Sequence, residues 1–405
     1  MSDQQRPDTS PPDGKGTSQF FQDLTGLGID WRSAVLVPVL AIITALLVGV
    51  VVIVFTDLEA LRLWGSDPGA ALSKTWSSVS GGYKALFVGS FGSLRAISET
   101  MVGAAPLILA GLSVAIGFRA GLFNIGTEGQ MLIGGMSAIL VGVAFQLPLF
   151  LHLPLALIGA AIGGGVWGAV PGILRANTGA HEVITTIMLN LIALNLVVYL
   201  LKSSLFQAEG RTDPISETVA VSARFPRLFG YLHDSQVRVT AGIIFAVLVA
   251  WFIYWLLFKT TLGFEFRAVG MNPDGAHYAG MNVVFLYGAV MAVAGALGGL
   301  AGADQILSIL YRGSPGFSAG IGFDAIALAL LGRSHPAGVV AAGVLFGALR
   351  SGGQVMQVET DLSIDLILVI QALIVVFIAA PALIKAIYRV RTGRAADLPT
   401  TGWGT

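Results

Sequence analysis

Few residues of this 405-residue chain could do chemistry, and their surroundings constrain what that chemistry is. Phe118–Gly135 reads FRAGLFNIGTEGQMLIGG, which sets Asn124, Thr127, Glu128 and Gln130 among apolar residues and five glycines. An ionisable side chain within an apolar span is expensive unless it faces protein or a water-filled cavity. Glycine-broken backbone at that depth survives only where it is buried in protein or lines a cavity. Helical spacing puts Asn124, Thr127 and Glu128 at i, i+3 and i+4 on one face, with Gln130 projecting elsewhere. Two readings stand side by side: these groups line a translocation path, or they pin neighbouring helices by hydrogen bonds.

A second stripe lies in HEVITTIMLN, where Glu182, Thr186 and Asn190 recur at i, i+4 and i+8. Thr185 stands where a zinc protease would need its second histidine, so His181–Glu182 is no metal motif. The stripe is expected to face the bundle interior or an aqueous vestibule, again as pathway or as interhelical hydrogen bonding. Asp304, Gln305 and Asp324 flank another polar interruption. Asp304 is expected at the outer interface. Asp324 begins a short apolar segment and is expected to cap that helix, because acids are favourable at a first turn. Substrate contact by Asp324 is the competing reading. The five histidines (His152, His181, His233, His277, His335) are dispersed and form no helical metal pair. No GxxxxGK[ST] loop occurs, so any nucleotide hydrolysis that drives this chain belongs to another chain. No catalytic residue, metal ligand or cofactor is assigned.

These groups sit in a chain that is 55% hydrophobic and only 11% charged. Soluble domains carry about 25% charged residues, so most of the chain belongs in a lipid bilayer. The balance of 23 basic and 23 acidic residues gives no basic surface for nucleic acid. The absence of cysteine excludes disulfides and thiolate chemistry. The expected fold is all-α and polytopic, with about ten transmembrane helices and broken or re-entrant segments in two quasi-equivalent halves. The expected spans are Ala34–Phe55, Glu99–Gly117, Leu122–Phe145, Leu153–Leu174, Val183–Leu201, Val239–Phe258, Val283–Gly302, a short one at Ile321–Gly332, Gly338–Leu349 with some extension, and Ile364–Ile384. Connections outside the membrane are Thr56–Ser98, Lys202–Arg238, Lys259–Asn282 and Asp304–Gly320. A disordered cytoplasmic tail over 1–33, a single transmembrane domain over 34–390 and a cytoplasmic tail over 391–405 complete the layout.

Arg119, Arg175, Lys259, Arg267, Arg333 and the cluster Lys385, Arg389, Arg391, Arg394 fall on one side of this arrangement, which predicts that both termini are cytoplasmic. Pairs such as Gly164/Gly168, Gly295/Gly299 and Gly343/Gly347 predict close helix crossings. The break pattern around Leu107–Gly135 recurs around Ala292–Gly332, as in transporters built from paired halves. The loop KTTLGFEFRAVGMNPDGAHYAGMN (259–282) mixes Phe, Arg and Tyr, which suits a docking surface.

PLILAGLSVAIGFRAGLFNIGTEGQMLIGG (106–135) resembles the signature of membrane permeases in the branched-chain amino acid/ribose class of ABC importers. HEVITTIMLN (181–190), GFEFRAVGMNPDGAHYAGMNV (263–283) and GFDAIALALLGRSHPAG (322–338) agree, and the chain is most similar to the larger permease subunit of nucleoside importers. Thr127 departs from the alanine frequent in that class. The resemblance implies a permease working by alternating access in a bacterial cytoplasmic membrane. Its partners would be a cytoplasmic ABC ATPase, a second homologous permease and an extracytoplasmic substrate-binding lipoprotein. Segment 259–282 would be the coupling loop, with Gly263, Arg267, Gly270, Asn272, Tyr278 and Gly280 at its recurrent positions. A simple-sugar permease and an ion-coupled secondary transporter remain as alternatives.

Overall fold

The computed structural model describes residues 31–229, 237–360, 362 and 365–388. Most of the expected amino-terminal tail, the tail 391–405, His233 and Arg389 to Arg394 lie outside them. The chain forms α1 (Trp31–Thr56), α2 (Leu58–Leu63), α3 (Pro68–Phe91), α4 (Leu94–Arg119), α5 (Thr127–Ala144), α6 (Leu149–Thr178) and α7 (Glu182–Leu201). It continues through α8 (Gly242–Lys259), α9 (Thr261–Met271), α10 (Pro273–Tyr278), α11 (Val283–Asp304), α12 (Ile321–Leu331), α13 (Pro336–Thr360), α14 (Asp365–Ala379) and α15 (Pro381–Tyr388). No strand occurs among the described residues, only two isolated bridges, Gln207–Ser216 and Arg227–Thr240. Among the described residues, eight helices are long and apolar enough to cross a membrane: α1, α4, α5, α6, α7, α8, α11 and α13. With the shorter apolar helices α12 and α14, they correspond to the ten expected segments.

The core is a seam of backbone against backbone. Lipid offers no hydrophobic gain for pushing helices together, so membrane helices hold through close packing over small residues. A Cβ on Gly164 would lie 2.7 Å from the Cα of Gly299, and one on Gly168 2.8 Å from the Cα of Gly295. Thus α6 and α11 cross at near contact. Gly302 and Gly134 bring α5 onto the same helix from another side. On their other faces α6, α7 and α8 expose Ile162, Val166, Leu191, Leu248 and Trp251, which suits a lipid boundary.

Two boundaries differ from expectation and a third is extended. The connection Thr56–Ser98 is largely helical: Asp67 caps α3 by accepting from the Gly69 and Ala70 amides, with Pro68 at the first position. Helix α3 then packs along α13, where Ser90 Oγ donates to Ala348 O at 2.6 Å and Ser351 Oγ to Gly89 O at 3.0 Å. Its serines and glycines kept it below the hydropathy of a span. The extension expected beyond Leu349 carries helix α13 as far as Thr360. The segment beyond Leu349 carries Arg350, Gln354 and Glu359, which line a cleft and therefore read as non-membrane. Helix α5 begins at Thr127, five residues after the expected start at Leu122.

Gly299→Val is expected to destabilise the protein by about 1–3 kcal/mol through overpacking against α6. Gly288→Ala, where the nearest atom to a Cβ lies 3.6 Å away, is expected to change stability by less than about 0.5 kcal/mol. Thermal unfolding of the two purified variants in detergent compares them directly.

Candidate functional site

The first polar cluster is built around a break. After α4 the chain turns through Gly121 (φ +69°) and Leu122 to Gly126 without helical bonding. Its amides and carbonyls find partners one by one. Leu122 N donates to Gly117 O at 2.9 Å, and Phe123 N to Glu182 Oε1 at 3.3 Å. Gly126 N donates to Asn124 Oδ1 at 2.9 Å. Asn190 Nδ2 donates to Ile125 O at 3.0 Å, while its Oδ1 accepts from Gly129 N at 2.9 Å. The stripe Glu182, Thr186, Asn190 is buried, as expected of an interior face, and two of its members hold the broken backbone. Glu182 also pairs with Arg175, whose guanidinium lies 5.5 Å from the Tyr287 ring centre. Thr186 Oγ1 returns to its own helix at Glu182 O, 2.7 Å.

The expected common face of Asn124, Thr127 and Glu128 is not what forms, because Asn124 precedes the helix. Asn124 and Gln130 instead exchange side-chain hydrogen bonds at 3.2 Å. Ser113 of α4 joins them, 3.1 Å from Thr127 Oγ1 and 3.3 Å from Gln130 Oε1. Glu128 points the other way: it accepts from Ser318 Oγ and, at 2.9 Å, from the Gly322 amide in the first turn of α12. A carboxylate at that place satisfies an orphan amide and complements the helix dipole. The acid that serves α12 there is therefore Glu128, from another helix. Asp324, expected in that role, makes no cap; it pairs with Arg350 of α13. Asp304 is fully buried rather than interfacial; its Oδ1 accepts from Ser308 Oγ at 2.8 Å.

A cleft lies elsewhere, between α3, α4, α13, the turn that follows α11 and the start of α12. Its wide part, about 700 Å³, is lined by Ser93, Arg95, Glu99, Arg238, Gln354 and Glu359 among others. An adjoining inner part of about 220 Å³ shares Glu99, Arg238, Ser351 and Gln354, and reaches Pro106, Gln305, Ile321, Gly347 and Arg350. Glu99 and Arg238 pair at 3.4 Å. None of Asn124, Thr127, Glu128, Gln130, Glu182, Thr186, Asn190 or Asp324 lines either part. Sequence reasoning missed the cleft residues, although Arg95/Glu99 and Arg350/Gln354 are i, i+4 polar pairs at span ends, a signal of one wetted face.

The opposite end of α4 meets segment 259–282, which is a helical corner. Thr260 caps α9 at the Gly263 amide (3.1 Å) and Asn272 caps α10 at the Gly275 amide (2.9 Å), with Pro273 following. Gly263 has no room for a side chain beside Leu256 and Leu257 of α8. A Cβ on Gly270 would lie 2.8 Å from Ala120 Cα, so this corner bears directly on the break. Gly280 closes the corner at φ +85°, a conformation open to glycine. Met271 and Tyr278 stand out, 88% and 90% exposed. Arg267 turns inward: its guanidinium lies 5.2 Å from the Phe258 ring centre, and that of Arg119 lies 5.5 Å from the same ring. Arg119 Nε donates to Ser334 O at 2.9 Å, and His335 stacks on Phe258 at 5.5 Å and Tyr254 at 5.8 Å. The turn after α12 is thereby tied to the corner. Partial burial, then the neighbouring Arg119 charge, holds the His335 imidazole below its ordinary pKa.

A polar cleft thus lies toward one end of α4 and a capped helical corner at the other. Residues 96–379 match the family described as branched-chain amino acid transport system / permease component, and the chain belongs to that family. It is 40% identical to the guanosine ABC transporter permease protein NupP of Bacillus subtilis, over 87% of this chain and 95% of that protein. It is 35% identical to the nucleoside ABC transporter permease protein NupB of Lactococcus lactis, over 87% and 92%. It is 34% identical to the glucose ABC transporter permease protein TsgB13 of Haloferax volcanii, over 90% and 93%. No solved structure matches the chain.

Asn190→Leu strands the Gly129 amide and the Ile125 carbonyl, and is expected to cost about 1–3 kcal/mol per stranded group in thermal unfolding. The lowered pKa of His335 means that the unfolded state binds more protons as pH falls past about 6.5. Stability of the corner is therefore expected to fall below that pH, where protonation would place a further cation beside Arg119 and Arg267. His335→Gln should flatten the dependence of Tm on pH between about 5 and 7.

Proposed function

We propose that this chain is the transmembrane permease subunit of an ATP-driven importer for nucleosides. The observation that carries the reading is the placement of α12. Its amino end, at Ile321, floors the cleft and is held by Glu128 and, through Asp324, by Arg350. Its carboxyl end, at Arg333 and Ser334, is held by Arg119 in the corner that Arg267 and Phe258 complete. Left-handed residues flank both ends: Gly316, Ala319 and Gly320 before it, Arg333 and Ser334 after it. A force applied at the corner would be delivered to the cleft floor along this short rod, which is the coupling alternating access needs.

The force comes from a cytoplasmic ABC ATPase that seats on the exposed Met271–Gly280 surface. The chain works beside a second homologous permease and receives ligand from an extracytoplasmic binding lipoprotein at the cleft end. Arg119, Lys259, Arg267 and Arg333 gather at the corner end, which supports a cytoplasmic placement of that end and of both termini. The buried polar residues of the break serve by keeping the α4–α5 wall in shape, while ligand moves along the cleft. Nucleosides are favoured by the guanosine and nucleoside permeases among the relatives; the glucose permease keeps a simple sugar as the second reading. Glu128 and Glu182 hold backbone amides, which weighs against proton carriage by either.

Tyr278→Ala and Met271→Ala alter side chains with almost no packing, so Tm should hold while ATP-dependent uptake in proteoliposomes falls about tenfold or more. Arg267→Glu should abolish uptake-coupled ATP hydrolysis with membrane insertion intact. Full uptake by this chain alone, with no ATPase, would overturn the proposal.

A further inference from the structure

The inner end of the cleft holds an acceptor with nothing to accept. Gln305 sits in the π-helical turn Gln305–Leu310 that extends α11, and is 8% exposed. It borders the inner cleft, yet its Oε1 is buried without a hydrogen-bond partner. Leaving a buried amide oxygen unpaired costs about 1–3 kcal/mol, which an evolved fold keeps only where something else supplies the donor. π-Turns recur at functional sites because they re-aim side chains out of helical register. Arg350 and Gln354, on one face of α13, line the same inner part.

The charges around the cleft are balanced. Arg238 is paired with Glu99 and Arg350 with Asp324, while Arg95 and Glu359 line the same wide part with opposite signs. Guanidiniums already neutralised by carboxylates offer little to a phosphate or carboxylate, which binds through charge-assisted pairs. Amide groups and paired ions suit an uncharged solute with several N–H and O–H donors. The apolar remainder of the inner wall, Val102, Pro106 and Ile321, would cover a flat ring. The wide part, about 700 Å³, falls within the roughly 300–1,000 Å³ of small-molecule sites, and the inner part of about 220 Å³ extends it.

We infer that Gln305, which lines the inner cleft together with Arg350 and Gln354, forms a binding site inside the permease for an uncharged nucleoside, with Gln305 Oε1 accepting from a base N–H or a ribose O–H. The inference rests on the nucleoside reading above and adds to it a selective contact within the membrane, beyond the receptor. Phosphorylated nucleosides are excluded there by the surplus of charge they would bring to a balanced cleft.

The complete transporter, with its ATPase, second permease and receptor in proteoliposomes, tests this with labelled guanosine. Gln305→Leu is expected to raise the KM of uptake about tenfold while Vmax holds. Gln305→Glu, which keeps an acceptor, should recover most of the loss. Gln354→Ala, an exposed position that leaves folding untouched, should raise KM about threefold. A Gln305→Leu transporter with normal KM, or one in which Vmax and ATP hydrolysis fall without a change in KM, overturns the inference and leaves the nucleoside reading standing. No guanosine uptake by the wild-type transporter, with ribose or glucose carried instead, overturns the nucleoside reading and this inference with it.

Discussion

Backbone inside a bilayer has to find its hydrogen bonds within the protein, and the break between α4 and α5 is where this constraint presses hardest. The segment 120–126 leaves helical geometry, so its groups need partners that no helix supplies. Glu182 and Asn190 of α7 provide two of them and Asn124 a third. The surrounding order follows from that requirement. Helix α7 must lie against the break, Arg175 must neutralise Glu182, and Tyr287 then covers Arg175. Glu182, Asn190 and Asn124 thus hold irregular backbone inside the bundle.

The glycine seams make such a break affordable. Helices α5, α6 and α11 approach within backbone contact at Gly134, Gly164, Gly168, Gly295 and Gly299. Close approach recruits many weak dispersion contacts where hydrophobic burial contributes little. It also makes the centre stiff, since a packed crossing of this kind has no slack for a gradual deformation. Motion is then left to the elements outside the seam.

Helix α12 is the one best suited to move. It is short, it is flanked at both ends by left-handed backbone, and Glu128, Arg350 and Arg119 hold its two ends. Ala319, Arg333 and Ser334 pay a conformational penalty of about 1–3 kcal/mol each for φ near +50°. Strain of that size at a hinge lowers the difference between two arrangements of the rod. The ion pair Asp324–Arg350 and the Glu128–Gly322 contact would set which arrangement holds the cleft floor.

Composition and apolar runs were enough to determine an all-α membrane chain with ten apolar helices, because hydropathy over about twenty residues reports directly on lipid. The glycine spacing of α6 and α11 likewise foretold their crossing. Segment boundaries were least defined where polar residues face water or protein inside the membrane: the sequence leaves the length of α13 beyond Leu349 open because Arg350, Gln354 and Glu359 line a cleft, and serine-rich α3 escaped notice altogether. The motif FRAGLFNIGTEGQMLIGG identified the permease class, yet Asn124, Glu128 and Gln130 point in directions that helical spacing assigned wrongly. Only the tertiary structure decided those directions, since they depend on where the helix starts and on which groups from elsewhere in the chain, Ser113, Ser318 and Gly322, arrive to meet them. The cleft belongs to the same category: it is made by residues from four helices, far apart in sequence, and no local pattern records their meeting.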